Sequence, residues 1–116
     1  MWTYRQLDGE LEHNGEFAGT GYSGRGEGRN NPAWENVANA GPIPRGLYKI
    51  DHPRHSDRLG PLVMNLEPVG HDALGRSMFR IHGDSKNHDA SHGCIILGPL
   101  LRASIASSGD TYLTVI

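Results

Sequence analysis

The sequence predicts a mainly β domain with one short helix near the C-terminus. Sixteen glycines and seven prolines interrupt the chain every ten residues or so, the spacing of tight turns between short strands. Apolar residues between these breaks tend to alternate, as in Leu47-Tyr48-Lys49-Ile50, which is the period of a half-buried strand. A spacing near four residues occurs in 98–107, where Leu100, Leu101 and Ile105 precede the stop signal Gly109.

Taken in order, residues 2–6 and 10–12 flank the turn Asp8-Gly9, and Asn14-Gly15 offers a second turn before 16–18, so the opening reads as a β-meander. Residues 19–42 carry the richest run of Gly, Asn and Pro with no period of 2 or 3.6, and read mostly as loop, a lid or groove wall. Gly41-Pro42-Ile43-Pro44-Arg45-Gly46 is a rigid turn into the strand 47–50. Further strands are expected over 62–66 and 77–81. In the second, Phe79 and Ile81 share one face and His82 falls on the other, at the strand end. A strand over 111–115 closes the chain.

Composition limits the function. A chain of 116 residues makes one domain, 1–116, with a core large enough to need no metal or disulfide. The 13 acidic side chains nearly balance the 11 basic ones, and no basic run tracks a phosphate backbone, which argues against nucleic acid. With one cysteine an intramolecular disulfide is excluded. Met1-Trp2-Thr3-Tyr4-Arg5-Gln6 lacks the charged head and apolar core of a signal peptide, and no segment approaches the roughly 18 apolar residues of a membrane span. The expected product is made in the cytoplasm, with no membrane association and no cofactor.

The chemistry concentrates between residues 80 and 97: Arg80-Ile81-His82-Gly83-Asp84, a polar loop through Ala90, then Ser91-His92-Gly93-Cys94-Ile95-Ile96. A cysteine attacks as thiolate and needs an imidazole or a dipole near it to do so at neutral pH. His82 can meet Cys94 across paired strands or a loop. His92 shares a face with Cys94 if the chain there is extended, whereas a tight turn separates them. Gly93 allows a sharp turn, so that amides around Cys94 could converge on an oxyanion. A lone cysteine before Ile-Ile-Leu is, on composition alone, more often a buried strand residue; the flanking Ser-His-Gly and the upstream His-Gly reverse that ordering. His82, His88, His92 and Cys94 also contain the ligand types of zinc, though at no standard spacing. Arg76, Arg80 and Asp84 are either surface ion pairs of small worth or contacts to charged substrate groups. Trp2 and Trp34 read as packing residues.

The order His-Gly, polar loop, Ser-His-Gly-Cys resembles the L,D-transpeptidase catalytic domain, and Gly41-Pro42-Ile43-Pro44-Arg45-Gly46-Leu47-Tyr48 resembles that family's Pro-x-Gly-x-Tyr segment. From Met1-Trp2-Thr3-Tyr4 through Gly21-Tyr22-Ser23-Gly24, Asn30-Asn31-Pro32 and Gly75-Arg76-Ser77 to the Cys94 motif, the chain is similar to the small L,D-transpeptidase-like effectors of type VI secretion. The resemblance implies a compact β-sandwich or barrel and cysteine acyl transfer on peptidoglycan stem peptides. It makes Cys94 the nucleophile, His82 the base and the Gly83 carbonyl the group that orients it. His92 is a supporting catalytic position, and Ser91 and Gly93 match the motif's supporting positions and are assigned to substrate binding; Arg76 and Asp84 join them there on the residue reading above. The loop from His82 to Cys94 is shorter than in housekeeping enzymes, and Ile96 and Leu97 stand where those often carry Arg. Also implied are secretion into a competitor's periplasm, action as a monomer and a cognate immunity protein over the Cys94 groove. Three function classes follow: a peptidoglycan cysteine acyltransferase or carboxypeptidase, a zinc peptidase, and an inactive peptidoglycan-binding module.

Overall fold

The computed structural model describes residues 1–87 and 91–116. Its strands are β1 (Trp2–Tyr4), β2 (Glu10–His13), β3 (Glu16–Thr20), β4 (Tyr22–Ser23), β5 (Gly46–Ile50), β6 (Arg54–Ser56), β7 (Gly60–Val69), β8 (Arg80–His82), β9 (Ile95–Ile96) and β10 (Tyr112–Val115), with the helix α1 (Pro99–Ser107) before the last. The mainly β class with one short helix near the C-terminus is as expected from the sequence.

The opening meander forms as read: β1, β2 and β3 pair antiparallel in succession, and Asn14 and Gly15 both take positive φ, 51° and 86°, as a two-residue hairpin turn requires. The strand order is β3-β2-β1-β10-β5-β7-β8-β9-β4, with β6 paired to β7 off this path. Pairing is antiparallel except for β1 with β10 and β8 with β9. The ten-residue β7 is the spine. Its C-terminal half pairs with β5, its middle with β8 and its start with β6.

The sheet is compact and mixed, and it is not a closed barrel. Its two end strands, β3 and β4, are consecutive in the chain and joined through Gly21, yet no ladder bonds pair them among the described residues. Gly21 donates its N–H to the Gly9 carbonyl at 2.9 Å, and a Cβ there would land on the Ile96 carbonyl oxygen. Only glycine lets this crossing lie flat on β9.

Alternation builds the core. Trp2 and Tyr4, Tyr48 and Ile50, and Leu113 and Val115 point inward from neighbouring strands, and Met64, Leu66, Phe79, Ile81 and Ile95 complete the layer. Each fully buried side chain of this size stabilises the fold by about 1.5–3 kcal/mol before entropy is charged. The helix buries Ile105 and leans Leu101 on the core while Leu100 stays exposed. The buried Arg102 fastens the helix with bonds to the carbonyls of Leu97 at 3.0 Å and Pro61 at 2.6 Å. Among the described residues no helix is long and apolar enough to cross a membrane.

Several boundaries differ from the sequence reading. The loop expected over 19–42 contains the end of β3, all of β4 and two short 3-10 turns, Gly26–Gly28 and Pro32–Trp34. The strand expected over 77–81 is confined to Arg80–His82 because Met78 takes φ 67°, which no extended strand allows. β7 runs well beyond 62–66, and β6 was not anticipated.

Candidate active site

The parallel pair β8 and β9 sets the geometry. Ile81 lies beside Ile95 and His82 beside Ile96, so the first pair enters the core while the alternate positions turn to the opposite face. His82 ends β8 on that face, and Cys94 stands one residue before β9. Both line a cleft of about 520 Å³. His82 is 2% exposed and Cys94 9% exposed, so the imidazole and the thiol are recessed.

The tautomer of His82 follows from its partner. Nδ1 lies 2.8 Å from the Gly83 carbonyl oxygen, which can only accept, so Nδ1 carries the proton and Nε2 is left as the basic nitrogen. Burial pushes the imidazole below its usual pKa, partly offset by the bond to Gly83, and the Arg80, Arg102 and Arg58 charges add to the depression. Burial likewise raises the Cys94 thiol, against the pull of a backbone hydrogen bond from Arg80 and the Arg80, Arg58 and Arg76 charges. Both shifts favour an uncharged resting pair, a thiol next to a neutral base. The thiol donates to the Met78 carbonyl at 3.7 Å.

The segment 91–94 is fixed by buried hydroxyls rather than by a ladder. Ser91 is fully buried; its Oγ donates to the Cys94 carbonyl at 2.6 Å and accepts from the N–H groups of Gly24 at 2.9 Å and Gly93 at 3.1 Å. Ser23 Oγ donates to the Gly93 carbonyl at 3.2 Å and accepts from the Ile43 N–H at 2.9 Å. Gly93 itself has φ 128°, and a Cβ there would come within 2.5 Å of Arg76 Nη2. Arg76 spreads its guanidinium over backbone carbonyls: Nη1 to Glu35 at 2.6 Å and Pro42 at 2.7 Å, Nη2 to Gly41 at 3.1 Å and His92 at 3.3 Å. It thereby clips the 35–42 loop to the cysteine segment.

The family model of the Tlde1 domain matches residues 18–102, which includes every residue of this arrangement. The chain belongs to the Tlde1 domain family. This is a family of type VI secretion L,D-transpeptidase effectors. Membership implies a type VI effector with L,D-transpeptidase-like activity, and with it a peptidoglycan substrate and secretion toward target bacteria. None of the curated proteins matches the chain. The matched span leaves out Met1-Trp2-Thr3-Tyr4, which the sequence reading had included in the resemblance.

Within this Tlde1 domain the remaining expected residues fall in different places. His92 is exposed and lines the cleft, with Nε2 at 3.3 Å from Arg25 Nη1; the turn at Gly93 removes the alternation that would have aligned it with Cys94. The Asp84 carboxylate accepts from Tyr22 Oη at 2.6 Å and from the Ser85 N–H at 2.8 Å. Ser91 and Arg76 spend the polar groups just described on the protein's own backbone, and Gly93 gives its N–H to Ser91. His88 lies outside the described residues. Among those described, no group of three His, Cys, Asp or Glu side chains is placed to hold a metal.

Sequence reasoning missed Ser23, which sits in the supposed loop, and the cleft residues Asn39, Arg58, Leu59 and Met78. The Ser23-Gly24 pair had already been quoted in the resemblance. Arg58, on a turn far along the chain from both motifs, carries no comparable signal.

Proposed function

We propose that the domain is a cysteine acyltransferase acting on tetrapeptide stems of peptidoglycan, with Cys94 as nucleophile and His82 as base. The observation that carries this is the recessed thiol and imidazole on one cleft, with the imidazole's Nδ1 bonded to the Gly83 carbonyl and its Nε2 left as the lone-pair nitrogen. Nε2 takes the thiol proton as sulfur attacks the carbonyl between the third residue and the terminal D-Ala. The new C–S bond gives a tetrahedral adduct; its collapse breaks the C–N bond, and the imidazolium returns the proton to the departing amine. Water then cleaves the thioester to a tripeptide, or a D-amino acid takes its place and gives an exchanged tetrapeptide.

The reading extends to the setting. Acting as a monomer and a single catalytic domain over residues 1–116, the effector depletes tetrapeptide donors in the periplasm of the target cell, and a cognate immunity protein covers the Cys94 cleft in the producer. Mass spectrometry of muropeptides incubated with the pure protein, with and without a D-amino acid, tests the chemistry. Cys94→Ala should abolish both products with the fold intact, and His82→Ala should cost about 10²–10⁴-fold in rate. Turnover by the Cys94→Ala protein would remove the nucleophile. In cells, a version sent to the periplasm should lyse its host only with Cys94 present; equal toxicity of Cys94→Ala would favour a binding module instead.

A further inference from the structure

The cleft is more basic than the chain that builds it. The sequence has 13 carboxylate side chains against 11 basic ones, yet among the described residues no carboxylate lines the cleft, while Arg58 and Arg80 both do. The other arginines are engaged. Arg5 and Arg45 pair with carboxylates, Arg25 meets His92 and Arg54 meets Asn65. Arg29 stacks over Tyr22, and Arg76 and Arg102 hold backbone carbonyls. Among the described residues the guanidiniums of Arg58 and Arg80 have no hydrogen bond or ion pair.

Their positions differ in origin and agree in direction. Arg80 starts β8, two residues before His82, and the parallel register of β8 on β9 sets it across from Cys94. Arg58 is on the exposed turn between β6 and β7. Both charges are close enough to act on the Cys94 thiol and the His82 imidazole. Two like charges held on one recess repel unless an anion joins them, and a planar forked guanidinium is suited to a carboxylate.

Resting on the peptidoglycan reading above, we infer that Arg58 and Arg80 form the seat for the free α-carboxylate of the terminal D-amino acid, on the leaving side of the scissile bond. In a C-terminal residue that carboxylate carbon lies two bonds, about 2.5 Å, from the amide nitrogen that departs. Its seat must therefore adjoin the reacting pair. An incoming D-amino acid presents the same group at the same distance from its attacking amine, so one seat serves release and exchange. The consequence is a specificity: the enzyme takes stems whose D-residue ends in a free carboxylate and rejects the same bond where that carboxyl is tied up as an amide, as it is inside a cross-link.

The test separates binding from chemistry. In the Cys94→Ala protein, calorimetry compares a disaccharide tetrapeptide ending in D-Ala with the same molecule ending in D-Ala carboxamide. The acid should bind about tenfold tighter or more, the worth of a charge-assisted bond. Adding Arg58→Gln, and then Arg80→Gln, should close the gap; Arg58→Lys should keep part of it, and Arg54→Gln, outside the cleft, should leave it intact. Equal affinities for acid and amide, no binding of either, or a gap that survives both Gln substitutions would overturn the seat. D-Ala release by the protein with Cys94 intact reports on the chemistry separately: no release beside a persistent acid–amide gap would remove the acyl transfer and leave the seat standing.

Discussion

Replacing Ser91 by Ala should loosen the site and cost the domain a large part of its stability, because one buried oxygen serves three backbone groups. The substitution leaves the Cys94 carbonyl and the Gly24 and Gly93 N–H groups without their partner, in a position with no solvent exposure. An unsatisfied buried polar group costs about 1–3 kcal/mol. Taking the low end for each, because the loop can relax, gives about 3 kcal/mol, a large share of the roughly 5–15 kcal/mol that holds a domain of this size together. Urea unfolding read by tryptophan fluorescence measures it directly, and Tm should fall by about 10 °C. Ser104→Ala, on the exposed face of α1, is the matched control and should stay within about 0.5 kcal/mol. A loss below about 1 kcal/mol for Ser91→Ala would mean that the hydroxyl network is not what fixes the cysteine segment.

Other outcomes follow from the same geometry. Arg76→Ala should destabilise the domain by about 2–4 kcal/mol through four orphaned carbonyls, and Arg76→Lys should recover little because an ammonium cannot span them; full recovery in urea unfolding would contradict the clip. Gly21→Ala should fail to give folded protein, since the added methyl meets backbone at Ile96 rather than a side chain that can turn away; a cooperative wild-type Tm would show that the crossing can shift. The pH dependence has a definite sign. Because burial holds the His82 pKa below 6.5, the neutral base is intact at pH 7, and kcat/KM should fall only as pH drops through a midpoint under that value. The stability tied to the neutral imidazole is complete above 6.5 and is lost as pH falls through the lower, folded-state pKa. An acid limb centred above 6.5 would contradict a buried base.

Where local pattern and burial agreed, the sequence was readable. The meander, the strand from Leu47 to Ile50, the helix before Gly109 and the closing strand all follow from alternation and punctuation. The short strands β4, β6 and β9 escaped because two or three residues hold no period: β4 exists only through β9, Tyr22 opposite Ile96 and Ser23 opposite Ile95, and β9 in turn lies on β8. The Met78 backbone, at φ 67°, broke a strand that its neighbours Phe79 and Ile81 made plausible. The structure brings the histidine and cysteine motifs to one cleft, but what holds that stretch of chain lies elsewhere. Ser23, Gly24, Gly41 and Pro42 reach it from the region read as loop and Ile43 from the turn that follows, and Arg58 reaches its cleft from an unrelated turn. Contacts between positions so far apart in sequence leave no local signature.

That same separation ties reactivity to completion of the fold. Cys94 precedes a two-residue strand that would not form alone, and its segment is held by β4 on one side and by the Arg76 clip on the other. β4 in turn continues from β3 through a glycine pressed on β9, so Cys94 is docked only when the first and last strands of the sheet order have both arrived. Non-local pairings of this kind form late in folding, because the chain entropy of closing them must be met before the contacts stabilise anything. Until then the thiol is solvated and ordinary. Once the sheet is complete it is recessed, burial favours its neutral form, and it shares a cleft with an imidazole whose free nitrogen is already set by Gly83. On the chemistry proposed above, proton transfer is triggered by a substrate that brings its own negative charge to the guanidiniums of Arg58 and Arg80, which have no partner among the described residues.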